Sequence, residues 1–522
     1  MPAIPIRPIV AIRTDLPPVG WFSAILLSLA GWWLAGQGTC AWASGEKSLA
    51  VLQNRHAALS SSFEREMREL AQRCGEAALP ELSREIAQRG QPASSRPGDL
   101  DELPATVRGM FPPELPETER IWRTRQLKLE QDHAIALYRL SRDALQQGHY
   151  SLAFKLVREV AYFDPDHKQA RTLLGFKRVG DEWTTPFAAA MTAKGQVFDP
   201  QFGWLPKSHL PRYRSGERNF NGKWISAERE ANIRSDFNQA WEIDTEHFRI
   251  RTNHSLEEGV RLGTELERFH RYFVREFATF FSSPSQLQRL FDQGEAGSAA
   301  GKRYNVYYFR SREEYLKHLS TEQPGVAISN GLYLPRKRIA YFFFDPTANQ
   351  DPLDTMYHEV THQLLAESSS KVFDVAPDRQ FWIVEGFACY MESYRREGDI
   401  TRIGDGSHPR FFWARERLVK SGEMYEFASF CALGMADFQL IQDVPTLQKY
   451  YAQGASMCHF FLNYEGGIYR DAFLTLLTQI YSPNNSVRAK VTGLDVLTGV
   501  PYPLLEQQYR DYLQSLIPAE NP

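Results

Sequence analysis

The sequence predicts an α+β protein in which short strands and then a helical half follow a helical N-terminal region. Residues 304–309, 331–334 and 339–344 have the aromatic and β-branched composition of strands. Helical apolar spacing covers residues 256–281 and returns from about 409 to 516. Strands that are grouped together, with helices grouped after them, favour a two-lobed α+β layout with a mixed sheet.

The N-terminus has the features of an export signal. Arg7 and Arg13 precede an apolar run at residues 21–35, and the small-x-small sequence Ala41-Trp42-Ala43 follows it. We expect residues 1–43 to be a signal peptide, so that the chain is exported to a periplasmic, cell-surface or extracellular location and begins at Ser44. An uncleaved anchor is the open alternative, although the run is shorter than the roughly 20 residues of a spanning helix. No transmembrane segment is expected beyond this signal.

Residues 44–117 are predicted to be a helical segment followed by a linker. Helical apolar spacing with many charges covers residues 49–79. Six prolines then fall between residues 92 and 116 together with Ser and Gly, which is typical of a linker.

Residues 118–180 are predicted to be a helical pair that is similar to a tetratricopeptide unit. Leu140, Ala153 and Pro165 fall at positions of that repeat, and its 34-residue period places Leu174-Gly175 where Leu-Gly is expected. The match is partial because Val160 stands where a small residue is usual, so a plain helical hairpin fits equally well. Either arrangement would offer a surface for a protein partner.

Residues 181–235 contain a second repeat. Trp183, Trp204 and Trp224 each follow a glycine within one to three residues and are separated by 21 and 20 positions. This spacing favours a series of tight turns with packed indoles over a carbohydrate site.

The first motif that indicates a catalytic metal site is His358-Glu359-x-x-His362. On a helix, residues four apart emerge from one face one turn apart. Both imidazoles can therefore bind one Zn²⁺ at about 2.0–2.1 Å, while Glu359 can take a proton from a water molecule activated by the metal.

A third ligand is predicted in a second helical stretch at residues 381–394. Glu385 lies on its apolar face, and an acidic side chain buried there must be paired or bind a metal. The 22 residues between His362 and Glu385 include helix-breaking Ser, Pro and Asp, which leaves room for a loop and a returning helix. His358, His362 and Glu385 make up one of the standard ligand sets of a catalytic zinc site.

These motifs resemble the gluzincin zinc metallopeptidases, and more narrowly the peptidase-MA-like domains of exported bacterial proteins. The resemblance implies a zincin-like domain, placed at residues 236–522, with three zinc ligands as above and Glu359 as general base. It also implies that the hairpin at 329–344 provides an edge strand for extended peptide. The chain departs from the thermolysin-like pattern at Cys389, where an Asp is usual, and Glu392 is a candidate to support a histidine instead.

Zinc peptidases of this kind often use a Tyr or His of the C-terminal lobe to stabilise the oxyanion. The helical segment at 450–459 supplies both types. Tyr451 is the first candidate and His459 the second, although packing is the more common role for either.

Composition argues against a nucleic-acid-binding protein and against a disulfide-rich fold. A net charge of −3 and a pI near 6.5 leave no basic excess to neutralise phosphates, so nucleic acid is not an expected partner. The cysteines after the signal fit no standard disulfide framework, and single buried thiols are favoured over a Cys431–Cys458 pair.

The sequence thus predicts an exported zinc metallopeptidase that acts on a peptide or protein substrate. The competing hypothesis is a non-catalytic exported scaffold with a degenerate peptidase-like domain. The intact Glu359 argues against the scaffold, and the missing Asp at position 389 argues for it.

Overall fold

The computed structural model describes residues 31–91, 103–107, 111–112, 114–293, 303–320, 323, 326, 329–346, 352–397, 400–441 and 443–516. For residues 31–47, 352, 397, 400 and 439 it describes the backbone only. This part of the chain is an α+β protein with small mixed sheets, which confirms the predicted class. It divides into two compact units. The first unit comprises Ser48–Tyr304 and Tyr394–Ile403, and the second comprises Asn305–Ser393 and the residues from Gly404 onward.

Helices account for most of the described chain. In order they are α1 (Gly31–Glu76), α2 (Pro80–Arg89), α3 (Glu117–Gln146), α4 (Tyr150–Phe163), α5 (Lys168–Leu173), α6 (Pro186–Ala193), α7 (Leu210–Arg214), α8 (Ala227–Arg234), α9 (Leu256–Glu276), α10 (Ala278–Phe281), α11 (Pro284–Gln293), α12 (Arg312–Leu319), α13 (Pro352–Glu367), α14 (Phe381–Met391), α15 (Pro409–Trp413), α16 (Phe427–Cys431), α17 (Met435–Gln439), α18 (Val444–Asn463), α19 (Arg470–Ile480), α20 (Asn485–Arg488), α21 (Leu494–Thr498) and α22 (Tyr502–Ser515).

The strands are short. In order they are β1 (Lys177–Val179), β2 (Glu182–Thr184), β3 (Gln196–Asp199), β4 (Gly203–Pro206), β5 (Glu217–Phe220), β6 (Lys223–Ser226), β7 (Trp241–Asp244), β8 (Phe248–Thr252), β9 (Tyr304–Phe309), β10 (Gly331–Leu334), β11 (Ile339–Phe343), β12 (Arg395–Glu397) and β13 (Ile400–Arg402).

The helical pair predicted at 118–180 is present as α3 and α4. Leu137 and Leu156 are fully buried in an apolar core that α1 and α2 also enter. The next helix, α5, is only six residues long, and the chain then enters β1 at Lys177. A second full helical repeat is therefore not formed in this segment.

The tryptophan repeat corresponds to three hairpin–helix repeats, each a two-stranded hairpin followed by a short helix. Positive φ angles at Gly180 and at Asn221-Gly222 form two of the tight turns. The indole of Trp204 lies 5.9 Å from the ring of Phe187 on α6, and that of Trp224 lies 6.2 Å from Tyr213 on α7. These contacts support the predicted role of the tryptophans in packing.

The second unit contains the strands that border the predicted site. β11 pairs parallel with β9 and antiparallel with β10, so the sheet is mixed and β10 is at its edge. The β10–β11 pair is the hairpin predicted at 329–344. α13 packs on this hairpin, α14 packs on α13, and α18 packs on α14.

The division between the units does not fall at the predicted domain start at residue 236. Residues 236–304 belong to the first unit because α9 is tied to its helices. Arg158 Nη1 lies 2.6 Å from Glu276 Oε2, and Arg275 Nη2 donates to the carbonyl of Leu174 at 2.8 Å. The predicted boundary therefore lies inside a compact unit.

Three other expectations concern the chain as a whole. The four cysteines with described side chains, Cys74, Cys389, Cys431 and Cys458, are free and buried, which confirms single thiols. Within the described ranges, every helix is too short or too polar to cross a membrane. Most of the predicted signal peptide lies outside the described residues, which start at Gly31 in α1.

Candidate metal centre

α13 brings the two predicted histidine ligands together. Its apolar positions Val360 and Leu364 are fully buried, which fixes the rotation of the helix about its axis. His358 and His362 then share another face, and their Nε2 atoms are 3.1 Å apart.

α14 carries the third predicted ligand and is otherwise almost wholly apolar. Trp382, Ile383 and Phe387 are fully buried, whereas Glu385 is half-buried and faces the histidines. Glu385 Oε2 lies 3.5 Å from Nε2 of His358 and 3.7 Å from Nε2 of His362. The three side chains predicted as ligands therefore converge.

These distances test whether the residues fit a zinc ion. Ligand atoms that bind one ion tetrahedrally at about 2.0–2.1 Å lie roughly 3.4 Å from one another. The observed separations of 3.1, 3.5 and 3.7 Å bracket that value. The donor set of two imidazoles and one carboxylate also suits zinc, so the residues fit the metal in both spacing and chemistry.

Glu392 takes the supporting place suggested from the sequence. Its Oε1 lies 2.9 Å from Nδ1 of His358, whereas Sγ of Cys389 is 3.9 Å from the same nitrogen. A proton on Nδ1 donated to Glu392 leaves Nε2 with a lone pair directed at the metal position. Arg410 in turn binds both oxygens of Glu392, with Nε at 2.9 Å and Nη2 at 3.0 Å.

The pKa values of the site are governed by burial and by these pairs. Burial alone lowers the pKa of His358, but its contacts with Cys389, Glu385 and Glu392 outweigh burial and hold that pKa well above its usual value. Burial raises the pKa of Glu385, yet the nearby imidazoles hold it well below its usual range. For Glu392, burial is likewise outweighed, here by Arg410 and His358, so this carboxyl also stays ionised with a lowered pKa.

Two other groups of potential ligands occur among the described residues, and neither fits a metal as well. In the group of His358, Cys389 and Glu392, the Arg410 guanidinium already neutralises Glu392. In the group of His247, Glu267 and His270, the imidazoles are stacked with ring centres 3.9 Å apart at 23°. Ring nitrogens bind metals in the ring plane, so stacked rings do not converge on one ion.

Glu359 lies beside the predicted ligands, the position that a general base for an attacking water requires. It lines a cavity of about 290 Å³ together with the three predicted ligands, and its Oε2 accepts a 2.8 Å hydrogen bond from the backbone N–H of Tyr333 on β10. The edge strand thus fixes the carboxylate beside the ligand set. Gly331 and Leu332 of the same strand also line the cavity.

The two candidates for the oxyanion donor have different surroundings. Tyr451 on α18 lines the cavity, and burial followed by the charge of Glu385 raises its pKa well above the usual value. Its hydroxyl therefore stays protonated at neutral pH and can donate a hydrogen bond.

His459 does not lie where it could donate a hydrogen bond to an oxyanion in the cavity. Its Nε2 lies 2.8 Å from the carbonyl of Gly404 and its Nδ1 lies 2.7 Å from the hydroxyl of Tyr512. Because both ring nitrogens are engaged away from the cavity, and because burial lowers its pKa to about 4, we remove His459 from the catalytic candidates. The two side chains are eight residues apart on α18, more than two helical turns, and only Tyr451 lines the cavity.

Arg410 and the backbone N–H of Tyr333 are the groups of this site that sequence reasoning missed. Arg410 lies 18 positions from Glu392 on another helix, and no local pattern links the two. A backbone donor leaves no trace in residue type.

The chain was compared with models of protein families, with curated proteins and with solved structures, and none of them matches it. The function proposed below therefore rests on the residues of this cavity.

Proposed function

We propose that this protein is an exported zinc-dependent metallopeptidase of the gluzincin type, with a zincin-like arrangement in its second unit. The observation that carries the proposal is the convergence of His358, His362 and Glu385 to within 3.7 Å beside Glu359. A purely structural zinc site has no use for a fourth, unliganded carboxylate at its open side.

The roles follow from the position of each group. Zinc, when bound, supplies Lewis-acid chemistry that polarises a peptide carbonyl and makes a water molecule more acidic. Glu359, oriented by the N–H of Tyr333, takes a proton from the attacking water and passes it to the leaving amine. Tyr451 donates a hydrogen bond to the oxygen that becomes negative as the carbonyl is attacked.

Substrate binding is assigned to β10. Among the described residues, no strand pairs with the outer row of peptide groups of β10, and in that row the N–H of Tyr333 donates to Glu359. A substrate in extended form would add to that row and lie across the cavity, where its scissile carbonyl would reach Glu359 and Tyr451.

The scaffold hypothesis was favoured by Cys389, which leaves the usual supporting Asp missing. The contact between Glu392 and His358 answers that objection, because a carboxylate one turn further along supports the same histidine. The helical pair α3–α4 is kept as a candidate partner surface, similar to a tetratricopeptide unit, in either case.

The test is to purify the full mature protein from its native host, sequence its N-terminus, measure zinc per chain and digest a broad peptide library. We expect Ser44 or a close neighbour at the N-terminus and one zinc per chain. We also expect cleavage that a chelator abolishes and added zinc restores. Zinc binding without cleavage of any peptide would favour the scaffold, and no zinc binding would overturn the metal site itself.

A further inference from the structure

Arg410 is a buried cation at the edge of the proposed active-site cavity. Its side chain is only 11 % exposed and makes a two-pronged contact with Glu392. Its guanidinium also lies 5.5 Å from the ring centre of Tyr451. One side chain therefore touches both the support of a ligand histidine and the candidate oxyanion donor.

Glu392 needs such an anchor because of where it sits. α14 ends at Met391, and Glu392 is its C-terminal cap, beyond the last regular helical residue. Helix ends fray, and a glutamate has one more rotatable bond than the aspartate usual in this role. The backbone alone therefore does not fix the carboxylate at Nδ1 of His358.

We infer that Arg410 is a positioning residue that holds Glu392 and, through it, the orientation of His358 in which Nε2 faces the metal position. A bidentate Arg–carboxylate pair fixes both distance and plane, which a lysine or a single hydrogen bond does not. This inference rests on the proposed zinc site and adds a residue to it that no motif predicts.

The pair also explains why Cys389 is compatible with a metal site. The thiol is fully buried and 3.9 Å from Nδ1 of His358, too far and too weak a partner to orient the ring alone. Oε1 of Glu392, which Arg410 holds in place, lies 2.9 Å from the same nitrogen. The support for His358 therefore comes from a contact between α14 and α15 and not from α14 alone.

The test is a double-mutant cycle in the full chain, with zinc affinity measured by competition against a chromogenic chelator. Glu392→Gln should raise the zinc Kd by about 10–100-fold, the usual effect of losing an outer partner of a ligand histidine. Arg410→Gln should raise it by a similar factor. Because Arg410 acts through Glu392, the double variant should be no weaker than Glu392→Gln alone.

Arg415 provides the matched control. It is also a buried arginine, which binds Glu416 and the carbonyl of Leu516 but not Glu392. Arg415→Gln should cost stability and leave the zinc Kd unchanged. The absorption spectrum of the Co²⁺-loaded protein gives a second readout, since Arg410→Gln should alter the ligand-field bands and Arg415→Gln should not.

The outcomes separate this inference from the proposed function. If the wild-type chain binds zinc and Arg410→Gln binds it equally well, or if the two single effects multiply in the double variant, Arg410 has no positioning role although the site stands. If the wild type binds no zinc, the proposed function fails. If Arg410→Gln does not fold, two other variants take its place in the test. They are the double variant, which leaves no unpaired buried charge, and Arg410→Lys. A double variant with wild-type affinity would then contradict the inference.

Discussion

Glu359 and Glu385 are two carboxylates that line one cavity, and their different partners suit them to the different tasks proposed for them. Glu385 Oε2 faces two imidazole nitrogens, while Glu359 Oε2 accepts a backbone hydrogen bond from the edge strand. The first arrangement suits a ligand that must remain ionised. The second orients a base without neutralising it.

Substitution separates these tasks. Glu385→Ala removes a ligand, so zinc occupancy should fall and turnover should fall with it. Glu359→Gln keeps size and polarity but removes the proton acceptor, so it should bind zinc as well as the wild type and lose at least about 10²–10⁴-fold in kcat. Zinc per chain and peptide turnover, measured on the same samples, decide both. Full turnover in Glu359→Gln or full zinc in Glu385→Ala would contradict the assigned roles.

Tyr451 should act in the transition state and not in metal binding. Tyr451→Phe removes only the hydroxyl, so we expect normal zinc content and a fall in kcat of about 10²–10³-fold, typical of losing one oxyanion donor. Tyr450→Phe is the matched control, because Tyr450 packs against Tyr425 and Phe438 and does not line the cavity. Equal turnover in the two variants would assign Tyr451 to packing.

The two proposed histidine ligands could be predicted from the sequence because their relative geometry is local. Four-residue spacing on a helix fixes His358 relative to His362 whatever the rest of the chain does. Arg410 could not be predicted, since its contact with Glu392 depends on how two helices approach each other. The same is true of Tyr451 and His459, whose directions are set by the neighbours of α18.

At the scale of elements, the position of Glu385 depends on a close helix crossing. A Cβ added to Gly386 on α14 would lie 2.5 Å from the backbone carbon of Gly454 on α18. Two glycines thus let the backbones approach without side chains between them. Glu385 precedes Gly386, so the crossing sets the depth at which this proposed ligand enters the cavity.

Gly386→Ala should therefore affect both stability and metal affinity. A methyl group at this contact must push the helices apart, which we expect to cost about 1–3 kcal/mol. The gain in helix propensity, about 1 kcal/mol, offsets only part of that. The zinc Kd should rise because Glu385 moves with α14. Chemical unfolding and chelator competition measure the two effects.

Gly259→Ala is the control for that substitution. It crowds the side chains of Ile243 and Thr252 within the first unit, at 2.6 and 2.8 Å. It should therefore lower stability without changing the zinc Kd. Unchanged zinc affinity in Gly386→Ala would show that the crossing does not set the ligand position.

The elements around the site were largely predictable for a related reason. β9, the β10–β11 hairpin and α14 lie within a few residues of their predicted ranges, because alternation and helical periodicity are properties of short segments. The start of the compact second unit was not predictable. It depends on α9 packing on helices of the first unit, which no periodicity near residue 236 records.

Across the whole molecule, several histidines are buried in their neutral form. Burial lowers the pKa of His133 and of His459 to about 4 and that of His270 to about 3. In the unfolded chain these groups bind a proton near pH 6.5. Between about pH 6.5 and 4.5 the unfolded state therefore holds more protons, and stability falls as the pH falls.

Among the other shifted groups, Glu246 opposes this trend, because burial raises the pKa of its carboxyl, but it is one group against several histidines. The raised pKa of His358 stabilises the metal-free chain fully below pH 6.5, and its contribution is lost only as the pH rises further. The carboxyls of Glu385, Glu392 and Glu267 have lowered pKa values, so their contributions are lost only below about pH 4.5.

We therefore expect the metal-free protein to lose stability on acidification from pH 6.5 to 5, by up to about 1.4 kcal/mol per pH unit for each neutral histidine. Urea unfolding at several pH values, in the presence of a chelator, measures this loss. Stability that stays constant or increases over that range would contradict the neutral buried state of these histidines.

The hairpin–helix repeats between residues 177 and 234 have a genetic consequence. Each contributes a self-contained stretch of about 20 residues, and Trp204 and Trp224 each dock on the helix of the repeat before it. A whole repeat can be gained or lost while every surviving indole still finds an equivalent neighbour. Homologues should accordingly vary in length here in whole-repeat steps, and a deletion of half that size should be eliminated by selection.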